Sequence, residues 1–558
     1  MINKSQLLPS FQSSKSDMIN VDLIIIIWIF MIILVNPIGN FPLNDDWSYA
    51  RSVKSAVEHG EFKLLGWTGT NLISQVYWGA LFCLPFGFSF TALRFSTLTL
   101  GLIGVLSTYG LLRLINAHPK YSFLGALLVA INPIYFELSN TFMNDVPFFA
   151  FATLTLFFLF RGLKYDSTVD LVIGLLFTYI TILSRQTGLV IPLVFVLAYL
   201  GKKGINLKSL IIGLLPAFVG FGLQFSYQEW LRLTMNMPEL YGMQIKTIFE
   251  EIGKGFKNVT FNYTSITLFS LIYLGIFLFP ILITCYPVKL KELSKRKQII
   301  SILATSIFSI VLMKILISKQ RFMPLMNNVL QDFPGAPDFF WLSVTAIGVL
   351  GAAILIQYLL IASFQIFRRQ ELYDDDNNKR WVNIFIVSVI FIYFFPLGFL
   401  GFGTFGFYDR YLIFLLPSLT MTILVSNRNN CNQFISNKSF LIAIILILLY
   451  GSFTIGTTHD YLSRNRARWQ ALNYLMYKGI PPNNINGGFE FNGWFLYDPD
   501  YDVKAHPYKS WWVDKDDYLI SSNTHSGYET IKQYRYRLWL PLHDGNTLVL
   551  RKIKNQVK

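Results

Sequence analysis

Long apolar runs separated by short polar or basic loops fill the chain as far as residue 455. Crossing the roughly 30 Å hydrocarbon core of a bilayer takes about 20 helical residues. The first run, 21–38, is close to that length. It is expected to be an uncleaved anchor, because Asn36-Pro37-Ile38 lacks the small-x-small pattern of a signal cleavage site. Read in order, the runs predict about thirteen membrane-spanning helices: 21–38, 91–115, 122–138, 146–160, 169–183, 188–200, 207–225, 263–286, 299–317, 339–367, 381–401, 411–425 and 440–455. Beyond residue 456 the pattern changes. Residues 461–477 have helical character, 485–491 and 517–521 look like strands, and 537–550 looks like a hairpin turning at Asp544-Gly545-Asn546. The expected fold is an α-helical polytopic membrane protein with a small C-terminal α/β domain. Its parts are a tail (1–20), a membrane domain (21–456) with a large first loop (39–90), and the α/β domain (457–558).

Composition agrees with a lipid-facing surface. Of the 558 residues 53% are hydrophobic and only 14% charged, against about 25% charged in an ordinary soluble domain. A net charge of +15 raises the question of nucleic acid, and its distribution answers against it. Basic residues collect in alternate short loops: Lys4 and Lys15, Arg113 and Lys120, Arg161 and Lys164, Lys202 and Lys203, Lys289 to Lys297, Arg368 to Arg380, and Arg428 with Lys438. The intervening short loops hold little beyond Arg185, Lys319, Arg321 and Arg410. This is the positive-inside pattern. It predicts a cytoplasmic N-terminus and a C-terminal domain on the outside; of the two host membranes, a bacterial plasma membrane is ranked ahead of the endoplasmic reticulum, a choice the charge pattern does not make. Asp374-Asp375-Asp376 is expected to be a solvated loop. Cys83, Cys285 and Cys431 show neither disulfide nor metal-type spacing.

Candidate chemistry lies in the loops of the less basic side. Asp45 and Asp46 follow the first span directly; such a pair can bind a cation, serve as a general base, or cap the helix expected over 47–59. Asp145 precedes a helix opened by Pro147 and is again a plausible cap. Arg185, in Ser184-Arg185-Gln186-Thr187, either snorkels to the interface or presents its planar fork to a phosphate. Arg410 offers the same choice, with Asp409 as a neighbouring partner. The six histidines form no HExxH or close pair, and no phosphate loop or GxSxG elbow occurs. No metal site is expected and no cofactor is implied, a divalent cation being left open.

Asp45-Asp46-x-x-Tyr49-Ala50 resembles the Asp-Glu-x-x-Tyr-Ala motif of the protein O-mannosyltransferase and lipid A aminoarabinose transferase group, C-fold (GT-C) glycosyltransferases that use polyprenyl-phosphate sugars. The likeness extends through Thr91-Ala92-Leu93-Arg94-Phe95, the 141–147 segment, Ser184-Arg185-Gln186-Thr187 and Asp409-Arg410-Tyr411-Leu412. It implies an inverting transferase on the outer face. Asp45 would be the general base, with Asp46 and Asp145 orienting the base or acceptor. Arg185, Arg410 and, less directly, Lys63 would hold the donor phosphate. The partners implied are a polyprenyl-phosphate sugar donor, a glycan, lipid or protein acceptor, and membrane lipid. Two departures stand out: Asp46 replaces the commoner Glu, and 62–71 lacks the family's Pro-rich signature, so acceptor determinants do not carry over. The rival classes are a transporter or lipid flippase, which would place ionisable groups at mid-membrane, and a membrane receptor or scaffold.

Overall fold

The computed structural model describes residues 15–234, 237–326, 337–367, 376–403, 406–427, 437–501, 510–513 and 515–553. Lys4, Arg368, Arg369, Asp374, Asp375, Arg428 and Cys431 lie outside the described residues. Among those described, ten helices are long and apolar enough to cross a membrane. The pair Pro119–Ala130 and Pro133–Ser139, bent by 62°, makes an eleventh. Each of the thirteen expected runs falls on one of these or on two shorter helices, Thr168–Ser184 (17 residues) and Val190–Lys203 (14 residues). At 1.5 Å per residue the latter reaches about 21 Å, short of a hydrocarbon core. The run expected over 263–286 breaks at Leu278 into Phe256–Phe277 and Phe279–Glu292, the second opened by Pro280. The protein is thus a multi-pass integral membrane helix bundle with a small sheet at its C-terminal end.

Side-chain contacts sort the helix ends. At one end Arg113 Nε meets Asp17 Oδ1 at 2.6 Å, Lys164 donates to the Leu114 carbonyl at 2.7 Å, and Lys203 pairs with Asp166 at 2.7 Å. Three of the basic loops read from the sequence thus have an acid or carbonyl partner at their helix ends. The opposite ends of the same helices carry residues 36–46, 90–94, 140–145 and 184–187, from which Asn44, Asp45, Met143, Asn144, Asp145 and Arg185 line the cavity described below. Between the ends, helices Phe256–Phe277 and Asp338–Phe367 cross closely at Gly275 and Gly351, where an added Cβ on Gly351 would run into the Gly275 backbone. Small residues at such crossings let helices approach closely in lipid.

The last helix, Asn437–Tyr477, has 41 residues. Its length, about 60 Å, is twice a hydrocarbon core, so half of it projects beyond the apolar part. The domain boundary expected at 457 falls inside this continuous helix. Its projecting half carries the sheet: Asp460 accepts from the Trp539 and Leu540 amides at 2.7 and 2.8 Å, and His459 stacks on Trp539. The strands are β1 (Ile485–Asn486), β2 (Tyr518–Ser521), β3 (Tyr528–Trp539) and β4 (Leu542–Lys552), in the order β1-β2-β4-β3. β1 and β2 are parallel, and the other pairs antiparallel.

Two expectations for this region are corrected. The strand placed over 485–491 ends after Asn486, because Gly488 at φ 87° starts the helix Phe489–Leu496. The hairpin turns at Leu540-Pro541, with Trp539 opposite Leu542, so Asp544-Gly545-Asn546 lies within β4. Pro541 has no N–H for a ladder and suits the turn. Gly545 is there for a different reason: it pairs with Tyr536, whose ring covers it and fills the space of any Cβ.

Candidate active site

The site is built where the first helix, Lys15–Val35, leaves the bundle. Arg94, fully buried, gathers the exiting backbone: Nη1 donates to the Pro37 and Gly39 carbonyls at 3.0 and 2.7 Å, and Nη2 donates to that of Phe41. The guanidinium also lies over the Phe41 ring, 4.4 Å from its centroid. Asn44 then takes φ 56°, a left-handed conformation that Asn tolerates better than most residues, and the chain turns into the helix Asp46–His59.

The two adjacent carboxylates have separate environments. Asp46 is buried; its Oδ1 accepts from the Leu43 amide at 2.6 Å and Oδ2 from the Phe142 amide at 3.2 Å. It ties the first loop to the 140–145 segment and does not line the cavity. Burial pushes its carboxyl up to about 8, against the pull of Arg94 and the two amides. Asp45 occupies the N-cap position but makes no capping hydrogen bond. Instead its Oδ1 accepts from Trp67 Nε1 at 3.0 Å, and it lines the cavity. Burial raises its pKa above the ordinary carboxylate value, opposed by Arg410 and the Trp67 N–H. Nearby, burial also drives the Tyr49 phenol above its usual range.

Asp145 opens the helix Asp145–Tyr165 and faces two arginines. Arg185 Nη1 lies 2.9 Å from Asp145 Oδ1, and Arg410 Nε 3.8 Å from the same oxygen. Both cations stack on aromatic faces, Arg185 on Tyr411 (5.2 Å) and Arg410 on Tyr408 (4.7 Å). Arg410 Nε is buried without a hydrogen-bond partner among the described residues. Asp145 thus faces both guanidiniums, and Asp45, in the same cavity, feels the charge of Arg410 as well. Asp409, expected as Arg410's partner, is buried instead along a neighbouring cavity.

Asp45, Asp145, Arg185 and Arg410 line one cavity of about 710 Å³. Lys63 is exposed and is not part of it. The far wall comes from the C-terminal part, which sequence spacing did not point to: Arg464, Arg468 and Glu490 line it, with Arg468 Nη1 2.8 Å from Glu490 Oε2 and the Asn44 amide donating to Glu490 Oε1 at 3.4 Å. These residues stand more than four hundred positions from Asp45, and nothing local in the sequence marks them. A second cavity of about 510 Å³, lined largely by apolar residues such as Ile134, Phe277, Phe340 and Leu449, shares Tyr461, Arg464 and Tyr536 with the first. Among the described residues no three or more His, Cys, Asp or Glu side chains group as metal ligands.

Fold and site together define a polytopic helical membrane protein with a charged cavity at one end of its bundle, walled on one side by a small C-terminal α/β unit. Residues 76–232 match the family model for dolichyl-phosphate-mannose-protein mannosyltransferase. The GT-C resemblance drawn from the motifs is therefore met over this stretch, which holds Asp145 and Arg185 but neither Asp45 nor Arg410. Among solved structures, the chain is similar to ArnT from Cupriavidus metallidurans bound to undecaprenyl phosphate, at 13% identity over 96% of this chain and 98% of that one, TM-score 0.42. It is also similar to the S. cerevisiae protein O-mannosyltransferase Pmt1-Pmt2 complex bound to the sugar donor, at 14% identity, covering 40% of this chain and 34% of that one, TM-score 0.32. A third is the arabinosyltransferase EmbB of Mycobacterium smegmatis, at 11% identity, covering 80% of this chain and 40% of that one, TM-score 0.32. The chain thus spans about a third of the mannosyltransferase's length and nearly all of ArnT's. No curated protein matches.

Proposed function

We propose that the protein is an inverting glycosyltransferase that moves a sugar from a polyprenyl-phosphate donor to an acceptor hydroxyl on the outer face of the membrane. The observation that carries this is the pairing, in one cavity, of a carboxylate held by a single side-chain donor with a two-arginine cluster whose buried Arg410 Nε is unsatisfied. Asp45 takes the proton of the attacking hydroxyl as its oxygen bonds to the anomeric carbon. The bond from that carbon to the phosphate oxygen breaks, its electron pair leaving on the phosphate. Arg185 and Arg410 hold the phosphate and stabilise the charge that grows on it, in surroundings where water screens little. Asp145 keeps the two guanidiniums in place. A phosphate leaves as an anion without protonation, so a single base suffices. The apolar cavity adjoining at Arg464 supplies room for the donor's lipid chain. A flippase or transporter is disfavoured because Asp45, Asp145, Arg185 and Arg410 gather at one end of the bundle.

The test is a transfer assay with the purified full chain and a panel of radiolabelled polyprenyl-phosphate sugars. Label should pass from one donor to an acceptor fraction, with release of polyprenyl phosphate. Failure of every donor to transfer, in a preparation shown to be folded, contradicts the proposal.

A further inference from the structure

The C-terminal wall of the cavity carries more than the charged pair. Trp47, Trp67, Phe489, Tyr497, Trp511 and Trp512 pack into one aromatic cluster; Trp67 lies 5.1 Å from Trp511 at 74° and 5.8 Å from Phe489. Trp47 and Trp512 are buried, at 0% and 4% exposure, and complete the packing between the first loop and the C-terminal unit. Trp67, Phe489 and Trp511 are different: they line the cavity, and Trp511 is 36% exposed. Packing alone gives no reason to leave three large rings at a water-reached opening.

We propose that this wall is a carbohydrate subsite, and that the acceptor hydroxyl belongs to a sugar ring. The C–H face of a sugar carries partial positive charge and packs on the negative face of an indole or phenyl ring. Its hydroxyls need polar groups held in place beside that ring. The same wall lines the cavity with Arg468, Glu490 and Asn465, which are fixed by the Arg468–Glu490 pair and by bonds to the Gly487 and Tyr461 carbonyls. The wall is joined to the base itself: Trp67 Nε1 donates to Asp45 Oδ1 at 3.0 Å, leaving Oδ2 as the oxygen to meet a hydroxyl of a sugar seated there. Asp45 therefore stands between the arginines that end the membrane helices and an aromatic wall from the C-terminal unit. Inversion needs that arrangement, because the attacking oxygen approaches the anomeric carbon from the side opposite the leaving phosphate.

Resting as it does on the transferase reading, the inference needs a readout that does not depend on turnover. Saturation-transfer NMR on the full chain in lipid nanodiscs, irradiating aromatic protons, detects sugar C–H groups stacked on rings. The probes are methyl glycosides of hexoses, N-acetylhexosamines and pentoses, with a serine-containing peptide in parallel and undecaprenyl phosphate binding measured on the same sample. At least one glycoside should show transfer to its ring protons. The signal should fall about fivefold or more in Trp511→Ser, less in Trp511→Phe, with undecaprenyl phosphate binding unchanged. No transfer to any glycoside while undecaprenyl phosphate binds, equal signals in wild type and Trp511→Ser, or a Trp511-dependent signal from the peptide alone, would overturn the subsite and leave the transferase reading standing. Loss of undecaprenyl phosphate binding in the wild type counts against that reading, and the subsite falls with it.

Discussion

Single side chains separate the two acids that the sequence presented as a pair. Asp46 has both oxygens engaged by backbone amides, one in its own loop and one at Phe142. Asn offers only one acceptor oxygen for two N–H groups, so Asp46→Asn should lower stability by about 1–3 kcal/mol, the cost of an unsatisfied buried donor. Thermal unfolding in detergent checks this, and an unchanged midpoint contradicts the clamp. Asp45 is governed by charge. It serves as a base only when ionised, so kcat/KM should rise with pH through its pKa, which burial places above the ordinary carboxylate value and Arg410 holds down. Arg410→Gln removes the opposing cation, and the acidic limb of the profile should move to higher pH. Arg185→Lys and Arg410→Lys keep the charge but lose the fork. Each should weaken undecaprenyl phosphate binding about tenfold with folding intact, as calorimetric titration would show. Unchanged affinity in both and in the double variant removes the phosphate-holding role.

At the scale of elements, apolar run length was a good guide to helices because burial in lipid follows hydropathy alone. The breaks were harder. In the run 263–286 the break at Leu278 is marked only by Pro280, and the bend between Ala130 and Pro133 only by Asn132-Pro133, signals that unbroken hydropathy on either side outweighs. The C-terminal strands show the opposite weakness. Asp544-Gly545-Asn546 has the local chemistry of a turn, yet Gly545 is small because Tyr536 lies across it on β3, a contact between strands that local chemistry does not reveal. Glycine has the same meaning between helices. In Gly351→Leu the side chain meets the Gly275 backbone, and the crossing must open. Overpacking of that kind should cost about 1–3 kcal/mol. A midpoint equal to wild type would show that the crossing is looser than the structure has it.

The whole molecule joins these pieces end to end. The motifs at residues 45, 145, 185 and 410 were legible because each follows a helix end on the same side of the charge alternation, and the structure brings all four to one cavity. The C-terminal wall was not legible: Arg468 and Glu490 reach the cavity only because the 41-residue helix carries its own domain past the bundle and back over residue 44. Sidedness is expected from the same alternation. A reporter fused after Lys558 should be active only outside, and one between residues 368 and 380 only in the cytoplasm; both on one side would mean a span has been miscounted. The most direct measurement of what the cavity does is transfer of labelled sugar from a polyprenyl-phosphate donor by Asp45→Asn beside the wild type. Asn nearly matches Asp in shape, and Asp45 makes no capping bond to lose, so the fold and donor binding should persist. Turnover should fall about 10²–10⁴-fold, the worth of a general base. Transfer at the wild-type rate would contradict the assignment of Asp45 as the base.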